Sequence, residues 1–118
     1  MSSTPAQQPA TAQQPVAASQ LVMPTAQALL HAAKLSMEQD KPIQLDYFQD
    51  TATGKAFLGE DAAASQKMLV KSNEEYTSLV QKVYKVGEDY IVMTENSLYL
   101  VSGKIQKRRI QVAALRGF

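Results

Sequence analysis

Cysteine is absent from this 118-residue chain, and histidine occurs once. Without cysteine the chain has no disulfide bonds, no thiolate zinc site and no cysteine nucleophile, and it fits a reducing compartment. No apolar run approaches the roughly 18 residues that cross a bilayer. The N-terminus also lacks the basic start and apolar core of a signal peptide. We therefore expect a protein that has no membrane span and is not secreted.

Recognisable catalytic patterns are also missing. His31 lies inside a predicted helix and has no cysteine to pair with, so we interpret it as structural rather than as a general base. The glycines are scattered singly and form neither GxxxxGK[ST] nor GxGxxG. Three adjacent acidic pairs fall in predicted loops, where such pairs are usually solvated rather than bound to Mg²⁺. These pairs are Glu60-Asp61, Glu74-Glu75 and Glu88-Asp89. The sequence predicts no enzyme, with no catalytic, cofactor-binding or metal-binding residue.

The first 22 residues differ in composition from the rest. They are rich in Ala, Gln and Pro, and PAQQPA is nearly repeated as TAQQPV. Such a segment buries too little to offset its ordering entropy, so we predict a flexible arm over 1–22. Either the arm has no role, or it becomes ordered along a neighbour in an assembly. The remaining regions are a helix and connection over 23–41, a β domain over 42–110 and a C-terminal tail over 111–118.

One helix is predicted ahead of the β domain. Thr25 follows Pro24 and is a suitable N-cap, and Pro42 disfavours helical backbone at the residue before it. We predict a helix over 26–39 whose apolar stripe packs on the sheet; docking of this stripe onto a partner is the alternative. The stripe consists of Ala26, Leu29, Leu30, Ala33 and Met37.

Short strands follow, separated by turn residues. Val, Ile, Tyr and Thr dominate KVYKVGEDYIVMTENSLYLVS, where Gly87-Glu88-Asp89 and Glu95-Asn96 provide two tight turns. We predict a mainly β fold with one N-terminal helix: an antiparallel meander or partly open barrel of five to seven strands. The predicted strands are 43–48, 55–58, 67–71, 79–86, 90–94 and 98–101, with 105–110 as an extension of the sheet. Lysines at both ends of 67–71 indicate an edge strand.

Charge is distributed unevenly along the chain. From Lys104 onward there are five basic residues and no acidic one, although the net charge of the whole chain is only +1. Four of these cations, which we predict as a partner-binding set, lie within six residues: Lys104, Lys107, Arg108 and Arg109. They would bind an acidic protein neighbour or nucleic acid, or they form a solvated edge without a specific partner.

Aromatic residues are spread over successive predicted strands. They are the ordinary filling of a β core, and the alternative is a base-stacking platform for single-stranded nucleic acid. These residues are Tyr47, Phe48, Phe57, Tyr84, Tyr90 and Tyr99.

Four short motifs carry a resemblance to a known group of proteins. They are Leu45-Asp46-Tyr47, Leu69-Val70-Lys71, Glu75-Tyr76-Thr77-Ser78 and Thr94-Glu95-Asn96-Ser97. Over roughly Pro42 to Ile105 the chain resembles small proteins encoded by nucleocytoplasmic large double-stranded DNA viruses, including algal viruses. The resemblance implies no catalytic residue. It implies a location in the virion or inside the infected cell.

Together these observations predict a virion-associated structural or adaptor module of the minor capsid type. Its β domain would form the body, and its arm and basic tail would contact other viral structural proteins. The alternative is a small nucleic-acid-binding barrel used in viral replication or expression. The sequence predicts no oligomeric state.

Overall fold

The computed structural model describes residues 22–115, so the predicted flexible arm lies outside the described residues except for Val22. Within this range there are three helices: α1 Ala26–Gln39, α2 Phe48–Thr53 and α3 Val112–Leu115. The seven strands are β1 Ile43–Gln44, β2 Phe57–Asp61, β3 Gln66–Val70, β4 Val80–Val86, β5 Asp89–Thr94, β6 Leu98–Ser102 and β7 Gln106–Arg109. The predicted tail 111–118 thus contains α3, whose Val112 is buried.

The bounds of α1 confirm the predicted helix. The Thr25 hydroxyl accepts a hydrogen bond of 3.1 Å from the Ala28 amide, which satisfies an otherwise unpaired N–H of the first turn. Asp40 ends the helix in the left-handed conformation, with φ of 55°, and its amide donates to the Ser36 carbonyl. The helix therefore ends through its own cap, two residues before Pro42.

Most of the predicted apolar stripe of α1 does not pack on the sheet, although Leu29 is partly buried against the core. Ala28, Ala32 and Leu35 face the sheet and are buried, whereas Leu30 and Met37 are exposed. The opposing sheet already presents large side chains, among them Ile91, Leu98 and Leu100. Small alanines let the helix backbone lie close to this surface, and among the large helical residues Leu35 packs on it whereas Leu30 and Met37 point away.

The strands form two sheets, in the orders β1-β6-β5-β4 (the first sheet) and β3-β2-β7 (the second sheet). Strands β4, β5 and β6 are the antiparallel meander that the two tight turns predict. Two pairings are parallel, β1 with β6 and β2 with β7, and local sequence gives no signal for them. The sheets do not close, so the predicted mainly β, partly open fold is confirmed. Strand β3 is an edge strand, as its flanking lysines predict.

The predicted strand over 43–48 is largely wrong. Only Ile43 and Gln44 are extended, and α2 begins at Phe48. Phe48 and Thr51, nearly one helical turn apart, are both buried. Burial of these two side chains on one side of a helical turn overrides the strand propensity of the adjacent aromatic residues Tyr47 and Phe48. Gly54 then ends α2 with φ of 86°, a conformation that glycine adopts without strain.

Thr51 joins α2 to the first sheet. Its hydroxyl accepts a hydrogen bond of 3.0 Å from the Ser102 amide at the end of β6. The same hydroxyl lies 2.7 Å from the Tyr47 carbonyl, to which it donates. This one buried side chain therefore pairs polar groups of two elements that are far apart in sequence.

Apolar side chains fill three successive layers. Helix α1 packs on one face of the first sheet, and the second sheet packs on the other face. The outer face of the second sheet is covered by Val112 and Ile110, which follow β7, and by Tyr76 and Leu79. This stacking leaves an opening between the two sheets, where the candidate site lies.

Candidate partner-binding groove

The four predicted partner-binding cations do not share one face. In β7, Lys107 pairs in register with Leu58 and Arg109 with Glu60, whereas the intervening Arg108 pairs with Gly59. Because side chains alternate along a strand, Lys107 and Arg109 lie on one face of the second sheet and Arg108 on the other. Lys104 belongs to the turn before β7. The predicted set is therefore divided among two faces of the second sheet and a turn.

Arg108 has local partners on the outer face. Its guanidinium carbon lies 4.6 Å from the centroid of the Phe57 ring, a cation–π distance. One of its terminal nitrogens donates a hydrogen bond of 2.9 Å to the Gln106 side-chain oxygen. These contacts hold Arg108 away from the opening between the sheets.

Lys107 instead lies at a groove between the two sheets. The volume of this inter-sheet groove is about 220 Å³. Its apolar walls come from both sheets and from the residue before β7, and Gly103 also lines it. The wall residues are Leu58, Val83, Tyr90, Val92, Val101 and Ile105, with Lys67 and Lys107 as the two cations.

The two lysines of the inter-sheet groove have different electrostatic surroundings. Lys67 Nζ lies 3.6 Å from a carboxylate oxygen of Glu60 on the neighbouring strand. Lys107 is exposed and has no ion pair with any of the described residues. The groove therefore combines an apolar interior with a net positive rim. No local sequence signal points to Lys67, because Lys67 and Lys107 come together only through the pairing of β2 with both β3 and β7.

The aromatic residues do not form a single platform. Tyr47 and Tyr99 contact each other edge to face, with ring centroids 5.3 Å apart, and Tyr47 is buried between the sheets. Phe48 is buried under α1, and Phe57 packs on the outer face of the second sheet. Distribution over three clusters fits core filling rather than base stacking.

A second group of charged residues surrounds Lys71, just after β3. Its Nζ lies 3.5 to 3.6 Å from carboxylate oxygens of Asp46, Asp50 and Glu75 and 4.4 Å from the centroid of the Tyr47 ring. Burial alone would lower the pKa of Lys71, but the three carboxylates together raise it. We call these five residues the Lys71 cluster. The ammonium group of Lys71 stays protonated and is already paired with carboxylates of the same chain. We therefore interpret the Lys71 cluster as structural rather than as a binding site.

Tyrosines in and beside the Lys71 cluster are held in their neutral form. Burial raises the pKa of Tyr47 well above its ordinary value, and the negative charge of Glu75 adds to this effect. Burial also raises the pKa of Tyr99, with a further contribution from Asp46. Both hydroxyls therefore keep their protons to a higher pH than an ordinary tyrosine does.

Two of the three acidic pairs contain an aspartate that accepts hydrogen bonds from backbone amides. Asp61 accepts hydrogen bonds from the amides of Ala64 and Val112, at 3.2 and 3.0 Å. Asp89 accepts a hydrogen bond of 3.0 Å from the Thr25 amide and so anchors the start of α1 on the first sheet. No group of three or more His, Asp or Glu side chains among residues 22–115 is arranged to hold a metal ion. His31 is exposed on α1.

Comparisons with known protein families, with curated proteins and with solved structures gave no match. Over the part of the chain that the structure describes, no helix has the length and apolar character needed to cross a membrane. The inter-sheet groove is thus interpreted from its own geometry and charge.

Proposed function

We propose that this protein is a non-enzymatic adaptor or structural module that binds a neighbouring protein in the inter-sheet groove. The proposed ligand is a chain segment with one large apolar side chain beside acidic residues. The observation that carries the proposal is the apolar interior next to Lys107, whose charge is unpaired among the described residues. Apolar walls take up an apolar side chain, and the ammonium group attracts a carboxylate.

The size of the groove supports a single anchoring side chain. An apolar cavity of about 150 Å³ binds benzene in a well-studied case, so about 220 Å³ holds one phenylalanine or leucine side chain. Binding of this kind places an aromatic or aliphatic anchor in a pocket and polar contacts at its rim. We therefore propose Lys67 and Lys107 as the rim contacts of the partner.

The division of the basic residues favours a protein partner over nucleic acid. A phosphate backbone is best contacted by several cations along one face. Here Arg108 lies on the face opposite Lys107 and contacts the Phe57 ring. Fewer cations of β7 therefore share one face than its sequence indicates. Binding to nucleic acid remains the alternative that the following experiment addresses.

We expect the peptide Asp-Asp-Phe-Asp-Asp to bind the full chain in fluorescence anisotropy, and Lys107→Glu to weaken binding by more than about tenfold through charge repulsion. Arg108→Glu is the matched control, because it reverses an adjacent charge on the opposite face, and it should change affinity by less than about twofold. Replacing the central Phe of the peptide by Ser should remove the anchor and most of the binding. Equal losses in both variants would contradict the proposed groove.

Single-stranded DNA of about 20 nucleotides is the second probe. If DNA binds, if its affinity falls steeply with salt, and if Lys107→Glu and Arg108→Glu weaken it alike, the nucleic-acid alternative replaces the adaptor proposal. An absence of DNA binding together with Phe-dependent peptide binding supports the adaptor proposal.

The viral resemblance supports a place for this adaptor in the particle of a large DNA virus, with other structural proteins as partners. Repeated contacts in a shell make weak individual binding sites effective through avidity. We expect quantitative mass spectrometry of gradient-purified particles to find a fixed number of copies per major capsid protein, unchanged by nuclease and salt washing. Abundance in infected-cell lysate with absence from particles would contradict the virion role, without bearing on the inter-sheet groove.

A further inference from the structure

Helix α1 presents a second apolar face to solvent. Leu30 and Met37 are 68% and 77% exposed, and Met23, just before the helix, is 65% exposed. These are the three most exposed large apolar residues among those that the structure describes. Neighbouring apolar side chains of this size on one helix face mark an interaction surface more often than single exposed residues do.

This face, exposed except at the half-buried Ala33, has the spacing of a helix-pairing seam. Ala26, Leu30, Ala33 and Met37 are separated by four, three and four residues, as the core positions of a heptad repeat are. At about 100° per residue, this helix seam lies roughly 160° from the face that packs on the first sheet. The two faces of α1 are therefore independent, and covering the helix seam leaves the core unchanged.

Small and large residues alternate along the helix seam. In an antiparallel pair of identical helices, Leu30 of one copy would lie beside Ala33 of the other, and Met37 would lie beside Ala26. The same register satisfies both contacts, and the two-fold axis repeats each of them. Every large side chain thus packs over an alanine. We propose that a second copy of this chain covers the helix seam in this antiparallel arrangement.

Charge and composition favour a second copy over the chain's own arm. The helix seam contains no charged residue, and Lys34 on one side would lie near Gln27 of the other copy rather than near another cation. Residues 1–21 consist mostly of Ala, Gln, Pro, Ser and Thr, so they offer few large side chains to cover Leu30 and Met37. The helix seam fits itself better than it fits that segment.

The expected dimer has low affinity and presents two inter-sheet grooves. A helix of 14 residues is about 21 Å long, so the contact is at the small end of specific interfaces. We expect a dissociation constant of roughly 10–300 µM. Because α1 lies on the face of the first sheet away from the second sheet, both inter-sheet grooves stay open in the dimer. If the proposed function holds, the dimer is a bivalent adaptor.

Sedimentation velocity of the full chain from about 1 to 500 µM tests this proposal. We expect a reversible monomer–dimer equilibrium, and Leu30→Glu with Met37→Glu should weaken it by more than about 50-fold because two charges from each copy would be buried. Leu45→Glu is the matched control, since Leu45 is exposed but lies outside the helix seam, and it should leave the equilibrium within about twofold. A monomer at every concentration, or equal effects of both variants, overturns the proposal.

Engineered cysteines test the antiparallel register, since the natural chain contains none. A mixture of Leu30→Cys copies with Ala33→Cys copies should form a disulfide-linked dimer on mild oxidation much faster than either variant alone. A parallel pair would instead link each variant to itself, which would overturn the proposed arrangement. The Leu30→Glu, Met37→Glu variant should still bind the Asp-Asp-Phe-Asp-Asp peptide, so failure of the dimer and failure of the groove are distinguishable.

Discussion

We expect Gly103→Ala to lower the free energy of unfolding by about 3 kcal/mol. Gly103 lies at the end of the β5–β6 ladder, where its backbone approaches the backbone of Glu88 in the β4–β5 turn. A Cβ atom at Gly103 would overlap the Glu88 carbonyl oxygen, an atom of the main chain that has no rotamer to change. The requirement for glycine here comes from close approach, because the φ of Gly103 is not among the positive values of the described residues.

The Glu88 backbone is poorly placed to move aside. The next residue, Asp89, pairs in register with Ser102 and also accepts the hydrogen bond from the Thr25 amide. Displacing the turn would therefore disturb both the end of the first sheet and the start of α1. This coupling is why we expect a full overpacking cost rather than local relaxation.

Thermal and urea unfolding followed by circular dichroism would measure the effect of Gly103→Ala. For a folded region of about 90 residues, 3 kcal/mol corresponds to a decrease in Tm of roughly 15 °C. Gly54→Asn is the control: Gly54 has a left-handed φ that asparagine tolerates, and the nearest atom to an added Cβ is 3.5 Å away. A loss below about 1 kcal/mol for Gly103→Ala would mean that the turn shifts easily.

Local chemistry explains which parts of the fold were predictable. The meander follows from β-branched and aromatic residues around two short turns, and α1 begins at the Thr25 cap that its sequence predicts. Each of these signals lies within a few residues of the structure that it specifies. Residues 48–53 are the exception, because burial of Phe48 and Thr51 against distant strands selects a helix there.

Which face of α1 is buried could not be read from the sequence. Both faces are apolar: one contains Ala28 and Ala32, and the other contains Leu30 and Met37. A rule that places large residues in the core predicts burial of the face with Leu30 and Met37. The face with Ala28 and Ala32 is buried instead, because the sheet already presents large side chains. The error is informative, because a face that has the pattern of a buried stripe yet remains exposed is the basis of the proposed dimer.

The inter-sheet groove was predictable only in part. Strand alternation within 105–110 already separates Arg108 from Lys107 and Arg109, so the division of the basic set follows from a period of two. The residues that lie beside Lys107 in the groove cannot be derived from this period, because they depend on parallel pairing between β2 and β7. Long-range pairing of this kind places Lys67 and Lys107 at one opening, although no local motif links them.

We expect Lys71→Met to destabilise the protein by about 2 kcal/mol at neutral pH. The three carboxylates of the Lys71 cluster are partly exposed, so each ion pair contributes only about 0.2–1 kcal/mol, and the contact with the Tyr47 ring adds about 0.5–1 kcal/mol. The substitution also leaves Asp46, Asp50 and Glu75 as mutually repelling neighbours. Lys55→Met is the control, since Lys55 is exposed and has no ion pair with the described residues.

The Lys71 cluster also sets the direction of the pH dependence. The pKa values of Lys71 and Tyr47 are both raised on folding, so the folded state holds these two protons more tightly than the unfolded chain does. Their stabilising contribution is therefore complete below the ordinary values of 10.5 and 10.0 and is lost as the pH rises through the higher folded values. The free energy of unfolding should decrease above about pH 10.

Urea unfolding at intervals between pH 8 and 11.5 would measure this decrease in the natural chain and in two variants. Lys71→Met should begin from a lower stability and decline less steeply, because its titrating amine is gone. Tyr47→Phe should also flatten the decline, whereas Tyr84→Phe, outside the Lys71 cluster, should follow the natural chain. An unchanged slope in both cluster variants would assign the alkaline loss to other groups and would show that the raised pKa values do not govern stability.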